Sequence, residues 1–344
     1  MTGRDLDALP KAHLHLHFTG SMSIPTLVQL AEHEGIELPE RLTDDIAGEV
    51  PMDLRGWFRF QRSYDRARSV VRGERALRTI IRQAAREDAA EGSRRLEIQV
   101  DPSSYGESVG GPAGALEIIC DEARLASAQE GTQVAVVVAA SRTHHPLDAR
   151  GLARLAAKHA GEGPGDVVAF GLSNDETRGS TPDWEPAFRI AAKAGLASVP
   201  HGGELRGADH LREVVDFLHP TRIGHGVRAV EDEALLAELA ERSIALEVNP
   251  ASNLKLGVYE HPDMVPLRRL VDSGVLVALG ADDPLIFLSR LTDQYRFARE
   301  VHGFSDAELA GLARSSIWAS LASPSDKERW VAEVDDWLAA PVAD

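Results

Sequence analysis

The chain has 344 residues, 43% hydrophobic and 26% charged, with a formal net charge of −17 at pH 7; this suits one large or two smaller globular α/β units. Such acidity argues against a nucleic-acid partner, which needs a basic patch, but leaves a small nucleoside open as a ligand. No run of about eighteen apolar residues predicts a membrane helix, the opening MTGRDLDALPK lacks an apolar signal core, and the single cysteine, Cys120, rules out an intramolecular disulfide and a cysteine-built metal centre, so a cytoplasmic protein is expected.

The first predicted strand is AHLHLHF, 12–18, in which His13, His15 and His17 alternate and so share one face. A buried polar stripe is costly unless something coordinates or hydrogen-bonds it. Residues 21–93 follow and read as mainly helical. Within them RGWFRFQRSYD brings Trp57, Phe58, Phe60 and Tyr64 together, either on a core-facing helix or on an aromatic lid. Further apolar runs are LEIQVDP (96–102), VAVVVAA (134–140), VVAFGLSN (167–174), ASVPHGGE (197–204), RIGHG (222–226), ALEVNP (245–250) and VLVALGADDP (275–284). Helical stretches separate them, several ending on glycine. One, ALEIICDEARLA, carries Cys120 as an expected buried thiol. Strands alternating with helices imply right-handed crossovers and a parallel sheet. Eight such units predict a (β/α)8 TIM-type barrel with a helical insertion after the first strand and extra C-terminal helices. The competing doubly wound sheet is weakened by the absence of GxGxxG after the first strand. A capping box at Ser325–Glu328 is expected to open a last helix, whose Trp330, Val331, Val334, Trp337 and Leu338 dock on the barrel. We expect residues 1–344 to form one domain, with 21–93 as an insertion or lid.

Barrel chemistry sits at the C-terminal ends of the strands. Those ends carry His15 and His17, His201 and Glu204, His225, and Asp282 with Asp283. His15, His17, His201 and Asp282 make a nitrogen and oxygen donor set that suits one Zn²⁺. Such an ion lowers the pKa of its water to roughly 7. Glu204, Asp283 and His225 remain for acid–base work. His13 lies nearer the strand's start and is expected to be structural.

These motifs resemble the adenosine deaminase family of the amidohydrolase superfamily. The resemblance rests on Lys11 to His17, HGGE (201–204), RIGHG (222–226), NPASN (249–253) and Asp282-Asp283-Pro284, in that order. It implies zinc on His15, His17, His201 and Asp282, Glu204 as proton donor to the purine ring, and His225 and Asp283 orienting and deprotonating the water. The implied reaction turns a 6-aminopurine into a 6-oxopurine and ammonia. Two-metal members of the superfamily carry a lysine ending the fourth strand; VVAFGLSN has none, which implies one metal.

The departures bear on substrate. Where adenosine deaminases place an aspartate that accepts the ribose 5′-hydroxyl, this chain has Thr19. Adenine deaminases usually carry a glutamate there and an aspartate in place of Gly224, and this chain has neither. Asn174 takes the place of a glycine whose amide contacts the purine. The HFTG motif is similar to relatives that deaminate 6-aminodeoxyfutalosine in menaquinone biosynthesis, whose substrate bears a carboxylated aromatic ketone at the 5′ end. Arg59, Arg62 and Arg142 are candidate carboxylate partners. Thr19, Asn174, Gly203, Trp57 and Phe60 are the expected substrate contacts. Ordinary adenosine, bound through the Thr19 hydroxyl, is the other reading. Two rivals from other classes are a nucleoside-binding protein without turnover and a different single-metal hydrolase.

Overall fold

Each of the eight apolar runs supplies one strand, and the strands close a ring. The computed structural model describes residues 3–38 and 54–341, with backbone alone for 54–58. The strands are β1 (Lys11–His17), β2 (Ser93–Val100), β3 (Gln133–Ser141), β4 (Val167–Ser173), β5 (Ala197–Gly202), β6 (Arg222–His225), β7 (Ala245–Val248) and β8 (Val277–Leu279). They lie in sequence order, each pairing in parallel with the next. Closure comes just beyond β8, where His17 N–H donates to the Asp282 carbonyl and Asp282 N–H to the His15 carbonyl, both at 3.0 Å. A doubly wound sheet would break this sequential order, so the chain is a (β/α)8 barrel.

Alternation divides each strand between two environments. On β1, Leu14 and Leu16 pack outward into the layer shared with the helices, while His13, His15 and His17 occupy the other face. Inside, β3 to β5 contribute small apolar residues, including Ala135, Val137, Ala169 and Val199, with Leu321 packed against them. The remaining interior is polar. Arg222 on β6 donates to Glu247 on β7 (2.7 Å) and to Glu97 on β2 (2.8 Å), and its third nitrogen bonds the Ala319 carbonyl (3.0 Å). At the start of β1, the buried Lys11 ammonium donates to the carbonyls of Leu6 and Leu9, each at 2.8 Å, and to that of Glu91.

Between β1 and β2 come α1 (Ile24–Glu34), α2 (Leu54–Arg68) and α3 (Gly73–Ala90). The aromatic helix is α2. Phe60 is buried and stacks on Phe287, with centroids 5.4 Å apart and planes at 6°. The Trp57 and Phe58 side chains lie outside the described residues. The last helix spans Pro324–Ala339, two residues earlier than expected, and its cap is Ser323, not Ser325. Ser323 Oγ accepts from Asp326 N–H at 3.2 Å, and Pro324, whose φ is already helical, takes the first turn. Trp330 and Val334 are buried beneath it. Cys120 is buried in the helix over Gly111–Glu130, and burial pushes its thiol up to about 12. Among the described residues no helix is long and apolar enough to cross a membrane.

Candidate active site

The histidines of β1 separate by depth. His13 Nε2 accepts from Ala281 N–H at 3.1 Å, so the ring proton sits on Nδ1, which donates to Asp88 at 2.9 Å. Both nitrogens are thereby engaged within the chain. His15 offers Nδ1 to Glu247 at 2.8 Å, while its Nε2 is buried with no hydrogen-bond partner among the described residues. That Nε2 lies 3.5 Å from Asp282 Oδ1, and His17 Nε2 lies 3.1 Å from the same oxygen. Ligand atoms on a tetrahedral zinc stand roughly 3.3 Å apart, given bonds of about 2.0–2.2 Å. His15, His17 and Asp282 form one cluster whose donor atoms lie within 4.8 Å of one another. His201 joins through a second, with His15 and His225; its Nε2 lies 3.2 Å from Gln99 Oε1.

Electrostatics sort these groups by role. Burial holds the His201 imidazole neutral, well below its ordinary value, and His15 and His225 push the same way. Burial would raise Asp282, but the His15 and His17 imidazoles beside it hold it ionised. Burial would lower His15, but Asp282 and Glu247 lift it to about 10. A neutral imidazole, an ionised carboxylate and an unpartnered buried nitrogen are the donor set that a divalent cation needs. Burial and the Asp282 charge raise both Glu204 and Asp283 well above the usual carboxylate range. Burial lowers His225 to about 4, leaving it neutral and able to take a proton. Its Nε2 stands 3.6 Å from Glu204, and Asn249 faces its Nδ1 at 3.2 Å.

Backbone conformation explains several residue choices. Asn174, His225 and Asp282 all adopt left-handed φ, at 75°, 65° and 61°. Asparagine tolerates that region best after glycine, which accounts for Asn174 standing where the family pattern has glycine. Gly20 has a different reason: a Cβ there would lie 1.7 Å from Asp283 Oδ1. At Gly224 a Cβ would meet His201 Cδ2 at 2.6 Å and His15 Cε1 at 2.8 Å. A side chain at that position must therefore displace rings of the donor set.

A cavity of about 320 Å³ opens over these groups. His17, His201, Glu204, His225, Asp282 and Asp283 line its base, and Phe60 and Asn174 line its walls. Thr19 and Gly203 are not on its surface. Thr19 is fully buried, and its Oγ1 is 2.5 Å from the Tyr105 hydroxyl; the Tyr64 phenol hydrogen-bonds it as well. Both tyrosines line the cavity; sequence reasoning named Tyr64 only as one of the aromatic stretch and missed Tyr105. The cavity's arginines are Arg68 and Arg178, not Arg59, Arg62 or Arg142. Arg59 and Arg62 are exposed on α2, and Arg142 is buried and does not line the cavity. Glu247 was also missed, although a lone acid inside the apolar run ALEV was a signal that it had a buried partner.

The sequence model of the adenosine deaminase family matches residues 10–337. The chain belongs to the adenosine deaminase family. A Streptomyces coelicolor protein that carries the provisional name adenosine/adenine deaminase is 55% identical over 342 residues, covering 98% of this chain and 99% of that one. The aminodeoxyfutalosine deaminase of Streptomyces avermitilis is 33% identical over 352 residues, covering 99% and 96%. The crystal structure of adenine deaminase from Arthrobacter aurescens superposes with a TM-score of 0.88 at 29% identity, covering 96% of this chain and 100% of that one. This family member is accordingly a deaminase-type hydrolase on a (β/α)8 barrel, acting on adenosine, adenine or a modified adenine compound.

Proposed function

We propose that the chain holds one zinc ion on His15, His17, His201 and Asp282 and hydrolyses a 6-aminopurine nucleoside, adenosine or a 5′-modified adenosine, to the 6-oxopurine and ammonia. The observation that carries this reading is the convergence of Glu204, His225 and Asp283 on the donor cluster at one end of the cavity. Zinc, when bound, supplies a water activated at neutral pH. The chain's own groups do the rest. Neutral His225 takes that water's proton as its oxygen bonds to C6, and Asp283 orients the water. Glu204, kept protonated by burial, gives its proton to the adjacent ring nitrogen. The C6–N6 bond then breaks, and the amine leaves with a proton as ammonia. The 21–93 segment acts as the lid through α2, whose Phe60, Tyr64 and Arg68 face the cavity.

For the 5′ end, we favour a substituted adenosine such as 6-aminodeoxyfutalosine. Support comes from Thr19, whose hydroxyl is taken up by two tyrosines and presents no carboxylate to a ribose hydroxyl. Arg68 and Arg178 also line the cavity, each paired with an aspartate, Asp65 and Asp175, and an aryl carboxylate would compete with those acids for the guanidiniums. Free adenine is the second reading, favoured by the name of the Arthrobacter aurescens neighbour. Measuring kcat/KM for adenine, adenosine and a 5′-carboxyaryl adenosine separates them. The substituted nucleoside should lead, and a large preference for plain adenosine or adenine sinks this assignment. Thr19→Asp should shift preference toward adenosine by about tenfold.

A further inference from the structure

Glu176 is a buried carboxylate outside the acid–base set, in the loop after β4. One residue collects five donors. The N–H of Gly203 and His210 Nδ1 (2.8 Å) reach Oε1, and those of Glu204 (3.0 Å), Leu205 (2.5 Å) and Arg206 (3.0 Å) reach Oε2. Four consecutive amides thus turn inward on a single anion, a nest of backbone donors. His210, in the first turn of the helix over Ala208–Leu218, is fixed in turn by Thr181 Oγ1 at 3.1 Å from Nε2. The loop so anchored begins directly after β5, and Gly203 within it has φ +67°. Burial alone would raise the Glu176 carboxyl, but the His210 hydrogen bond and charge, with the amides, bring it down to about 2. It is therefore ionised throughout the working range and cannot serve as an acid.

We infer that Glu176 is a positioning residue: its carboxylate ties down the 203–206 turn and so fixes Glu204 against the reacting base. The inference rests on Glu204 being the proton donor. A neutral amide at 176 offers one acceptor oxygen and turns its NH₂ toward amide donors, so the turn loses half its anchor. Displacement of a reacting group by about 1 Å costs on the order of 100-fold in rate.

The test compares Glu176→Gln, Glu176→Asp and Glu204→Gln in the zinc-loaded protein. Zinc content, melting temperature, kcat, KM and amide exchange over 203–206 are measured for each. Glu176→Gln should keep its zinc and speed exchange at 203–206 about tenfold. Its kcat should fall about 100-fold with KM changed far less. Glu176→Asp, which retains the charge one methylene short, should recover part of both. The inference is overturned if a folded Glu176→Gln leaves exchange and kcat near wild type, or if its kcat loss follows zinc loss. Should Glu176→Gln not fold, unchanged exchange and kcat in Glu176→Asp overturn it instead. Full turnover by Glu204→Gln would remove the proton-donor reading, while the exchange result would still report on the turn.

Discussion

At the N-terminal end of the barrel every nitrogen of Arg222 has a partner, and the Lys11 ammonium meets three carbonyls. At the C-terminal end His15 Nε2, Glu204 Oε1 and Asp283 Oδ1 are just as buried and have none. The mouth also holds the left-handed Asn174, His225 and Asp282. Burying a polar group without a partner costs about 1–3 kcal/mol, more for a charge. Around Arg222 and Lys11 the floor meets that cost within the chain, although Arg95 Nη1 nearby is buried with no partner among the described residues. The mouth leaves it for a ligand to meet, and three of its site residues also carry left-handed backbone. The contrast separates structural polar burial from functional polar burial inside one barrel.

Substitutions at the two ends should fail differently. The largest effect is expected from Glu204→Gln, which should cut kcat by about 10³ or more while zinc content and melting temperature hold. If turnover survives, Glu204 is not the acid. At the floor, Arg222→Met takes one cation away from two buried carboxylates, leaving Glu97 to Arg95 and Glu247 to His15, and should cost about 3–5 kcal/mol of stability in a denaturant titration. An unchanged midpoint would break the contrast.

Glu176 brings the floor's kind of pairing to the mouth. Its folded value of about 2 lies below the ordinary 4.5, so its contribution is present above pH 4.5 and is lost as pH falls from there toward 2. The linked free energy is about 3 kcal/mol, and the acid-side decline of stability should be shallower in Glu176→Gln. The smallest effect is assigned to Glu247, which joins the two ends through His15. Glu247→Gln should weaken zinc affinity about 10–100-fold in a chelator competition and leave the kcat of the loaded enzyme nearly intact.

Much of this was legible in the chain. Strand alternation put His15 and His17 on one face, and the polar residues at strand ends marked the mouth, because a barrel fixes where its strands stop. All the strands but β3 end earlier than the apolar runs do. The left-handed His225 is the last residue of β6, where the run of residue types continues. Thr19 stood out in the sequence as a departure from the family pattern, but nothing near it named Tyr105, its partner 86 residues away.

The period of a strand tells which face a side chain takes, and a motif tells what chemistry its residues can do. Those two properties determined the barrel from sequence alone and nominated the donor set and the acid–base candidates. Only the tertiary structure decided the partners: Glu247 on His15 across 232 residues, Asp88 on His13, Tyr105 on Thr19 and Glu176 under Glu204. Ring closure brings those pairs together. A residue's spacing along its own strand carries no record of which distant strand will face it once the barrel has closed.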